Sequence, residues 1–348
     1  MSASPAPAAW LHPRPQGLFC EPGGFFIDPV VAVDRAVITH AHSDHARPGH
    51  GHVLAHPDTL ALMRLRLGNA DAGRTQQPLA WGERLEHDRV QIALAPAGHV
   101  LGSSQIVLEY AGSRVVISGD YKRQPDTTCA VFTPVSCDVF VTEATFALPV
   151  FRFPTPEQEI ARLLASLTVF PERTHLLGCY PLGKSQRLIA LLRAAGWDRP
   201  IFLHGAQSAL CAAYEARGVQ LGSLRPAIGA AKSELAGAVV LAPPRAATEP
   251  WVRRLVDPVV AFASGWMALR QRVRARGVEL PLVISDHADW DGLLTTIVET
   301  GAGEVWVTHG REEALIHALV QRGLRGRELR LLGYGDEAEA AATDSVPD

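Results

Sequence analysis

Short apolar runs alternate along this chain with polar breaks rich in glycine, proline and histidine. In the first 145 or so residues the runs are "GFFIDPVV", "AVIT", "HVLA", "VQIALAP", "SQIVLEY", "SRVVISGD" and "DVFVTEAT". Each is short, rich in β-branched residues and bounded by turn formers, which predicts a strand. Only "DTLALMRLRL", residues 58–67, interrupts them with a helical period. After Glu143 the period changes. In "TPEQEIARLLASL", Thr155 can cap, Pro156 suits the first turn and Gln158 completes a capping box. Ile160, Leu163, Leu164 and Leu167 then form one apolar face. The strand "THLLGCY", the helix "KSQRLIALLRAAG" stopped by Gly196, and the strands "RPIFLHG", "AVVLAPP" and "PVVAFAS" continue an alternation that predicts a parallel sheet. The segments "PLVISDHADWDGLLTTIVETG" and "EVWVTHGREEALIHALVQRG" predict strand–helix–strand–helix. The acidic tail from Asp336 is expected to be disordered. Texture shifts near 150 and near 280, and no segment repeats.

A chain of 348 residues fits one large domain carrying an insert, or two domains. With 47% hydrophobic and 20% charged residues, a substantial core is possible and wholesale disorder is excluded. A net charge of −3, with 14 His counted neutral, excludes a polycation. Nucleic-acid contact would have to come from local patches. The cysteines, Cys20, Cys129, Cys137, Cys179 and Cys211, form no CxxC pair. That predicts a reducing compartment, with neither a disulfide framework nor a cysteine zinc site. "MSASPAPAAW" lacks the features of a signal peptide, and no run approaches the roughly 20 apolar residues of a membrane helix. A soluble, cytoplasmic protein with no membrane partner is expected.

The strongest chemical signal is "THAHSDH", residues 39–45, which follows the strand "AVIT". Alternate residues of extended backbone face the same way, so His40 and His42 can converge on one ion. The loop then turns, and Asp44 and His45 can serve a second. Imidazole and carboxylate together suit Zn²⁺ or Mn²⁺.

This motif resembles that of the metallo-β-lactamase superfamily, which implies an αββα sandwich. "PAGHVLGSSQ" and "VVISGD" match the family's third and fourth motifs and supply His99 and Asp120. "FFIDP" supplies Asp28, matching the first-motif Asp that braces the His loop from behind. "VTEAT", "SDHADW" and "VTHG" resemble motifs A, B and C of the β-CASP nucleases, through Glu143, His287 and His309. Those proteins carry an α/β domain inserted in the sandwich. The resemblance implies sandwich over 1–149, insert over 150–279, and sandwich again over 280–348 with the acidic tail. "ASGWMALR", together with "SDHADW" and "VTHG", resembles the bacterial ligase-associated DNA exonucleases.

The resemblance implies two divalent ions. His40, His42 and His99 would hold one, Asp44, His45 and His309 the other, and Asp120 would bridge. Such a site hydrolyses phosphodiesters with a hydroxide activated between ions about 3.5–4 Å apart. His287, held by Glu143, would protonate the leaving sugar oxygen. Asp44, Glu143 and His287 form the expected catalytic set. The expected function is a DNA exonuclease of DNA repair, acting on single-stranded DNA or a free end, with a functional link to an ATP-dependent DNA ligase. An RNA-processing β-CASP ribonuclease and a small-molecule metallo-hydrolase of the same fold are the alternatives. With every ligand position filled, a non-catalytic scaffold is not expected.

"GCYPLGKS", residues 178–185, fits the phosphate-binding loop of ATPases. Pro181 removes an N–H that such a loop needs. The expectation is an anion site instead, with Lys184 and Ser185 at a helix N-terminus meeting the nucleic-acid backbone. "RQRVRARG" brings Arg270, Arg272, Arg274 and Arg276 together as a second backbone contact. For Trp266 and Trp290, beside these motifs, core packing is expected over base stacking.

Overall fold

A computed structural model describes residues 5–331. The acidic tail lies outside the described residues. The chain divides into two compact units. One comprises the chain up to Phe151 and again from His287, the other Arg152–Asp286.

The first unit is an αββα sandwich. Its first sheet takes the strands Leu11–Arg14, Gly17–Cys20, Phe25–Ile27, Arg35–Val37, His52–Ala55 and Thr75–Pro78 in chain order. The second has the spatial order Arg325–Glu328, Glu304–Gly310, Val139–Ala144, Ser113–Ile117, Ser104–Tyr110, Val90–Pro96, Arg84–His87. Period-two alternation sorts its side chains. Ile106, Leu108, Val115, Ile117, Val139, Val141 and Trp306 face inward and pack with Leu11, Leu18, Phe25, Ile27, Val37 and Leu54 of the first sheet. Val107, Val116, Phe140, Val305 and Val307 face outward, under Leu293 and Ile297 of the helix Trp290–Thr300 and Leu315 and Leu319 of the helix Glu312–Gln321. These strands are buried on both faces, which is why they read as continuous apolar runs. On the other side, the helix Pro57–Leu67 contacts the strand Thr75–Pro78.

The second unit is built on a six-stranded, all-parallel sheet ordered Leu224–Pro226, Ile201–Leu203, Val239–Ala242, His175–Gly178, Val259–Ala263, Leu280–Leu282. The helix Pro156–Val169 opens with the expected capping box of Thr155 and Gln158. Ile160, Leu163 and Leu167 on its apolar face are buried. The expected return at 280 needs correction. Leu280–Leu282 pairs in register with Ala261–Ala263, which keeps those residues in the second unit, and the first resumes at His287. A strand three residues long carries too little pattern to reveal which sheet it joins. Among the described residues, no helix is long and apolar enough to cross a membrane.

Candidate metal centre and active site

Strand direction assembles the site. In the second sheet Val90–Pro96, Ser113–Ile117, Val139–Ala144 and Glu304–Gly310 all run the same way, because two antiparallel pairings followed by two parallel ones restore the direction. Their C-terminal ends therefore share one edge, the usual place for sites in such sheets. His99 and Asp120 follow the first two strands, while Glu143 and His309 lie near the ends of the others. The His40–His45 loop follows Arg35–Val37 of the first sheet. A register shift after Glu143 pairs Ala144 with Gly310, and His309 takes a left-handed backbone at φ 56°. Such a bulge re-aims the side chains at a strand end. Gly119, beside Asp120, has φ 55°, and a Cβ there would lie 2.8 Å from Thr39 Cβ, so the two loops approach where only glycine fits.

The rings converge. His42 Nδ1 lies 3.1 Å from His40 Nε2 and 3.0 Å from His99 Nε2. Asp120 Oδ2 is 3.4 Å from His45 Nε2, 3.6 Å from His40 Nε2 and 3.8 Å from His99 Nε2. Donor atoms of His40, His42, His99 and Asp120 lie within 4.8 Å of one another, as do those of His45, Asp120 and His309. Asp120 is common to both groups, the position a bridging carboxylate would occupy. Asp44 stands 3.7 Å from His45 Nε2 but outside this converging set.

The electrostatics suit a cation. Burial, helped by the neighbouring His45 and His99, holds His40 well below its ordinary pKa, so it stays a neutral imidazole able to donate to a cation. Burial, with His45 beside it, takes His309 down to about 3. Burial also opposes charge on His45, yet Asp120 and Asp44 prevail and hold it well above the ordinary value. Burial would raise Asp120, but His45 foremost and His287 next hold it far below the carboxylate range. Buried imidazoles crowded around one ionised carboxylate form a donor set that fits divalent metal, and Zn²⁺ and Mn²⁺ accept it.

Asp28 lies behind this cluster and is hydrogen-bonded to Thr39 and His45. It accepts from Thr39 N–H at 2.8 Å, Thr39 Oγ1–H at 2.6 Å and His45 Nδ1–H at 2.8 Å. Because an ionised carboxylate only accepts, it fixes the proton on Nδ1 and leaves Nε2 toward Asp120.

Glu143 and His287 meet. His287 Nδ1–H donates to Glu143 Oε2 at 2.8 Å, and the backbone N–H of Tyr121 donates to Oε1 at 2.7 Å. Burial pushes the Glu143 carboxyl up, against the pull of His287. Asp120, Glu143 and His287 offer atoms within 4.8 Å of one another, and the His287 ring centroid is 4.7 Å from that of His99. The dyad thus borders the cluster. Thr39 and Tyr121 were not among the expected site residues. Thr39 acts through its hydroxyl as well as its backbone N–H, and Tyr121 through a backbone N–H, which every residue type but proline carries.

The expected anion site at "GCYPLGKS" is corrected. Lys184 is 1% exposed, donates to the Ile284 carbonyl at 2.8 Å and pairs with Asp286 at 3.1 Å. Arg187 pairs with Asp286 at 3.0 Å and donates to the Ser285 carbonyl. Ser185, wholly buried, donates to the Tyr180 carbonyl at 2.8 Å. A buried ammonium needs a counter-charge, and here the chain itself supplies one. Of the four Arg of the expected contact, Arg270, Arg274 and Arg276 are exposed and Arg272 is half-buried; the guanidinium of Arg272 lies 4.8 Å over Trp266 and that of Arg276 4.7 Å over Phe262. Trp266 and Trp290 are buried.

Comparison with known proteins follows the same line. Residues 29–148 match the metallo-β-lactamase superfamily. The chain is 30% identical over 341 residues to a protein from Opitutus terrae named "Probable DNA ligase", covering 95% of this chain and 32% of that one. It is 30% identical over 223 residues to "Endoribonuclease ysh-1" of Neurospora crassa, covering 53% of this chain and 26% of the other. It is 26% identical to "Cleavage and polyadenylation specificity factor subunit 3" of Dictyostelium discoideum, covering 52% and 28%. The chain therefore spans about a third or less of these relatives. A crystal structure from Enterococcus faecalis V583, of a protein of unknown function, superposes with a TM-score of 0.56 at 12% identity, covering 87% of this chain and 80% of that one. The chain carries a metallo-β-lactamase domain, and its relatives are consistent with the β-CASP branch.

Proposed function

We propose that this protein, on the premise of its metallo-β-lactamase domain, is a metal-dependent exonuclease that hydrolyses phosphodiester bonds of DNA from a free end, in DNA repair. The observation that carries the reading is the Glu143–His287 pair at the edge of the His/Asp cluster. A hydrolase that needs only an activated water has no use for a second, buried acid–base pair. A phosphodiesterase does, because its leaving sugar oxygen is a poor leaving group until protonated.

His40, His42, His99 and Asp120 would hold one divalent ion, and His45, His309 and Asp120 a second, with Asp44 at its rim; Zn²⁺ or Mn²⁺ fits. Such ions would supply Lewis-acid polarisation and an acidified water. The chain supplies the rest. Asp28 holds the Nδ1 proton of His45, and burial keeps His40 and His309 neutral. Glu143 accepts from Nδ1–H of His287, so protonated His287 presents Nε2–H to the leaving oxygen, and Glu143 stabilises that imidazolium. The exposed Arg270, Arg274 and Arg276 are the backbone contacts we retain from the Arg run.

DNA is favoured because the resemblance to a protein named a DNA ligase runs along 95% of this chain, whereas that to the endoribonuclease covers 53%. It also motivates a functional link to a ligase. RNA is the second reading, since a relative named an endoribonuclease matches 53% of this chain and His309 stands where RNA-cutting members of the resembled family carry a ligand. End-labelled single-stranded DNA and RNA of matched sequence, digested with Zn²⁺ or Mn²⁺, test both. Stepwise loss of mononucleotides from DNA is expected. Internal cleavage, or preference for the RNA strand, would refute the exonuclease or the DNA assignment respectively.

A further inference from the structure

The loops that carry the metal-receiving histidines have no regular structure of their own. Residues 38–51 and 97–103 form only turns, bends and coil. Two buried cations hold them, each through a backbone carbonyl. Arg66, in the last turn of the helix Pro57–Leu67, is 8% exposed and donates to the Ala41 carbonyl at 2.5 Å. Ala41 stands between His40 and His42. Lys122, 1% exposed, donates to the carbonyl of His99 itself at 3.4 Å. Its charge is balanced by Asp126 at 2.6 Å, whose other oxygen accepts from Thr128 N–H at 2.8 Å and Thr128 Oγ1–H at 2.7 Å.

The helix that carries Arg66 also reaches the second loop. Thr59 Oγ1–H donates to the Gly102 carbonyl at 2.9 Å. Gly102 has φ 77°, and a Cβ there would lie 2.6 Å from Thr59 N, so the loop lies directly on the helix N-terminal turn. One helix thus ties the His40–His42 turn at one end and the His99 loop at the other.

Buried carbonyls need donors, but neutral ones would suffice. Hydrogen bonds from a charged donor are roughly twice as strong as neutral ones. Burying a guanidinium or an ammonium is costly unless it makes such bonds. A positive charge beside a cation site also repels the ion, so neither group serves by attracting metal. What they supply is position. We propose that Arg66 and Lys122 are positioning residues that lock the two His-bearing loops in their metal-receiving form before an ion arrives. This rests on the reading of the cluster as a metal centre.

The test titrates metal-free protein with Co²⁺, reading the visible spectrum and the affinity by competition, alongside thermal denaturation of the metal-free form. Arg66→Met and Lys122→Met should bind Co²⁺ about 10- to 100-fold more weakly, as expected for partners of ligating groups. Their spectra should shift, and Arg66→Lys should recover part of the loss. Should a Met variant fail to fold, Arg66→Lys and Thr59→Ala carry the same comparison, each expected to weaken Co²⁺ binding less. Variants that melt earlier but bind Co²⁺ with wild-type affinity and spectrum would overturn the proposal and leave the metal centre standing. A wild type that takes up no Co²⁺ would overturn both.

Discussion

Removing the His287 imidazole should separate proton donation from metal binding. In the structure His287 is 6% exposed and Glu143 1%, and one 2.8 Å hydrogen bond joins them. General acid catalysis contributes about 10²–10⁴-fold, so His287→Ala should lose that much in kcat on DNA. Glu143→Gln removes the charge from the pair and keeps its shape. Its amide oxygen can still accept from Tyr121 N–H, which turns the amide NH₂ toward His287 Nδ1. The ring then accepts where it donated, and protonation at that position is no longer stabilised. A charge-assisted hydrogen bond is worth about 1.5–3 kcal/mol, so Glu143→Gln should cost roughly 10- to 150-fold. The double variant should be little worse than His287→Ala, since the two act as a unit. The assay compares DNA with a p-nitrophenyl phosphodiester, whose leaving group needs no proton. The variants should be far less impaired on the second substrate, with metal content unchanged. Because Asp120, Glu143 and His287 also converge, the pair has a competing role as ligands. Loss of metal from His287→Ala, or equal slowing of both substrates, would refute the acid assignment.

Asp120→Asn should strip metal more completely than Asp44→Asn, because Asp120 belongs to both donor groups and Asp44 to neither; metal analysis after dialysis decides, and equal loss would contradict the geometry. Lys184→Met should leave DNA affinity and its salt dependence intact but destabilise the protein, by up to the roughly 3–5 kcal/mol of a broken buried pair, less what Arg187 retains by staying on Asp286. Urea unfolding and a salt titration of binding read the two effects, and a weakened salt slope would restore Lys184 as a phosphate contact. Burial pushes the thiols of Cys20 and Cys179 up to about 12 and that of Cys211 to about 11. They should resist iodoacetamide at pH 8 in the native protein and react once it is denatured. Because the folded state keeps protons that the unfolded chain releases from about pH 8.5, these groups should erode stability as pH rises from there toward 11–12. Fast native labelling at pH 8 would show the thiols to be accessible.

Local pattern alone determined much of this protein. The strands buried on both faces announced themselves as apolar runs, and the helix at Pro156 as a capping box, because each signal lies within one element. The His40–His45 loop was legible for the same reason: its candidate donors sit within six residues, at spacings that bring His40, His42 and His45 into converging groups, though not Asp44. His99, Asp120, Glu143, His287 and His309 are scattered over more than two hundred residues. They could be named in advance only through family resemblance. Tertiary structure decided what resemblance could not. Lys184 looked like a phosphate ligand from its neighbours in sequence, but its charge is met by Asp286, about a hundred residues away. Arg66 and Lys122 carried no signal for their hold on the two loops, because the groups they hold there are backbone carbonyls, identical at every residue. Leu280–Leu282 joined the second unit through pairing with a strand some twenty residues earlier. Whether a charged side chain faces solvent, substrate or a buried partner is a property of its surroundings, and for these residues only the folded chain supplies them.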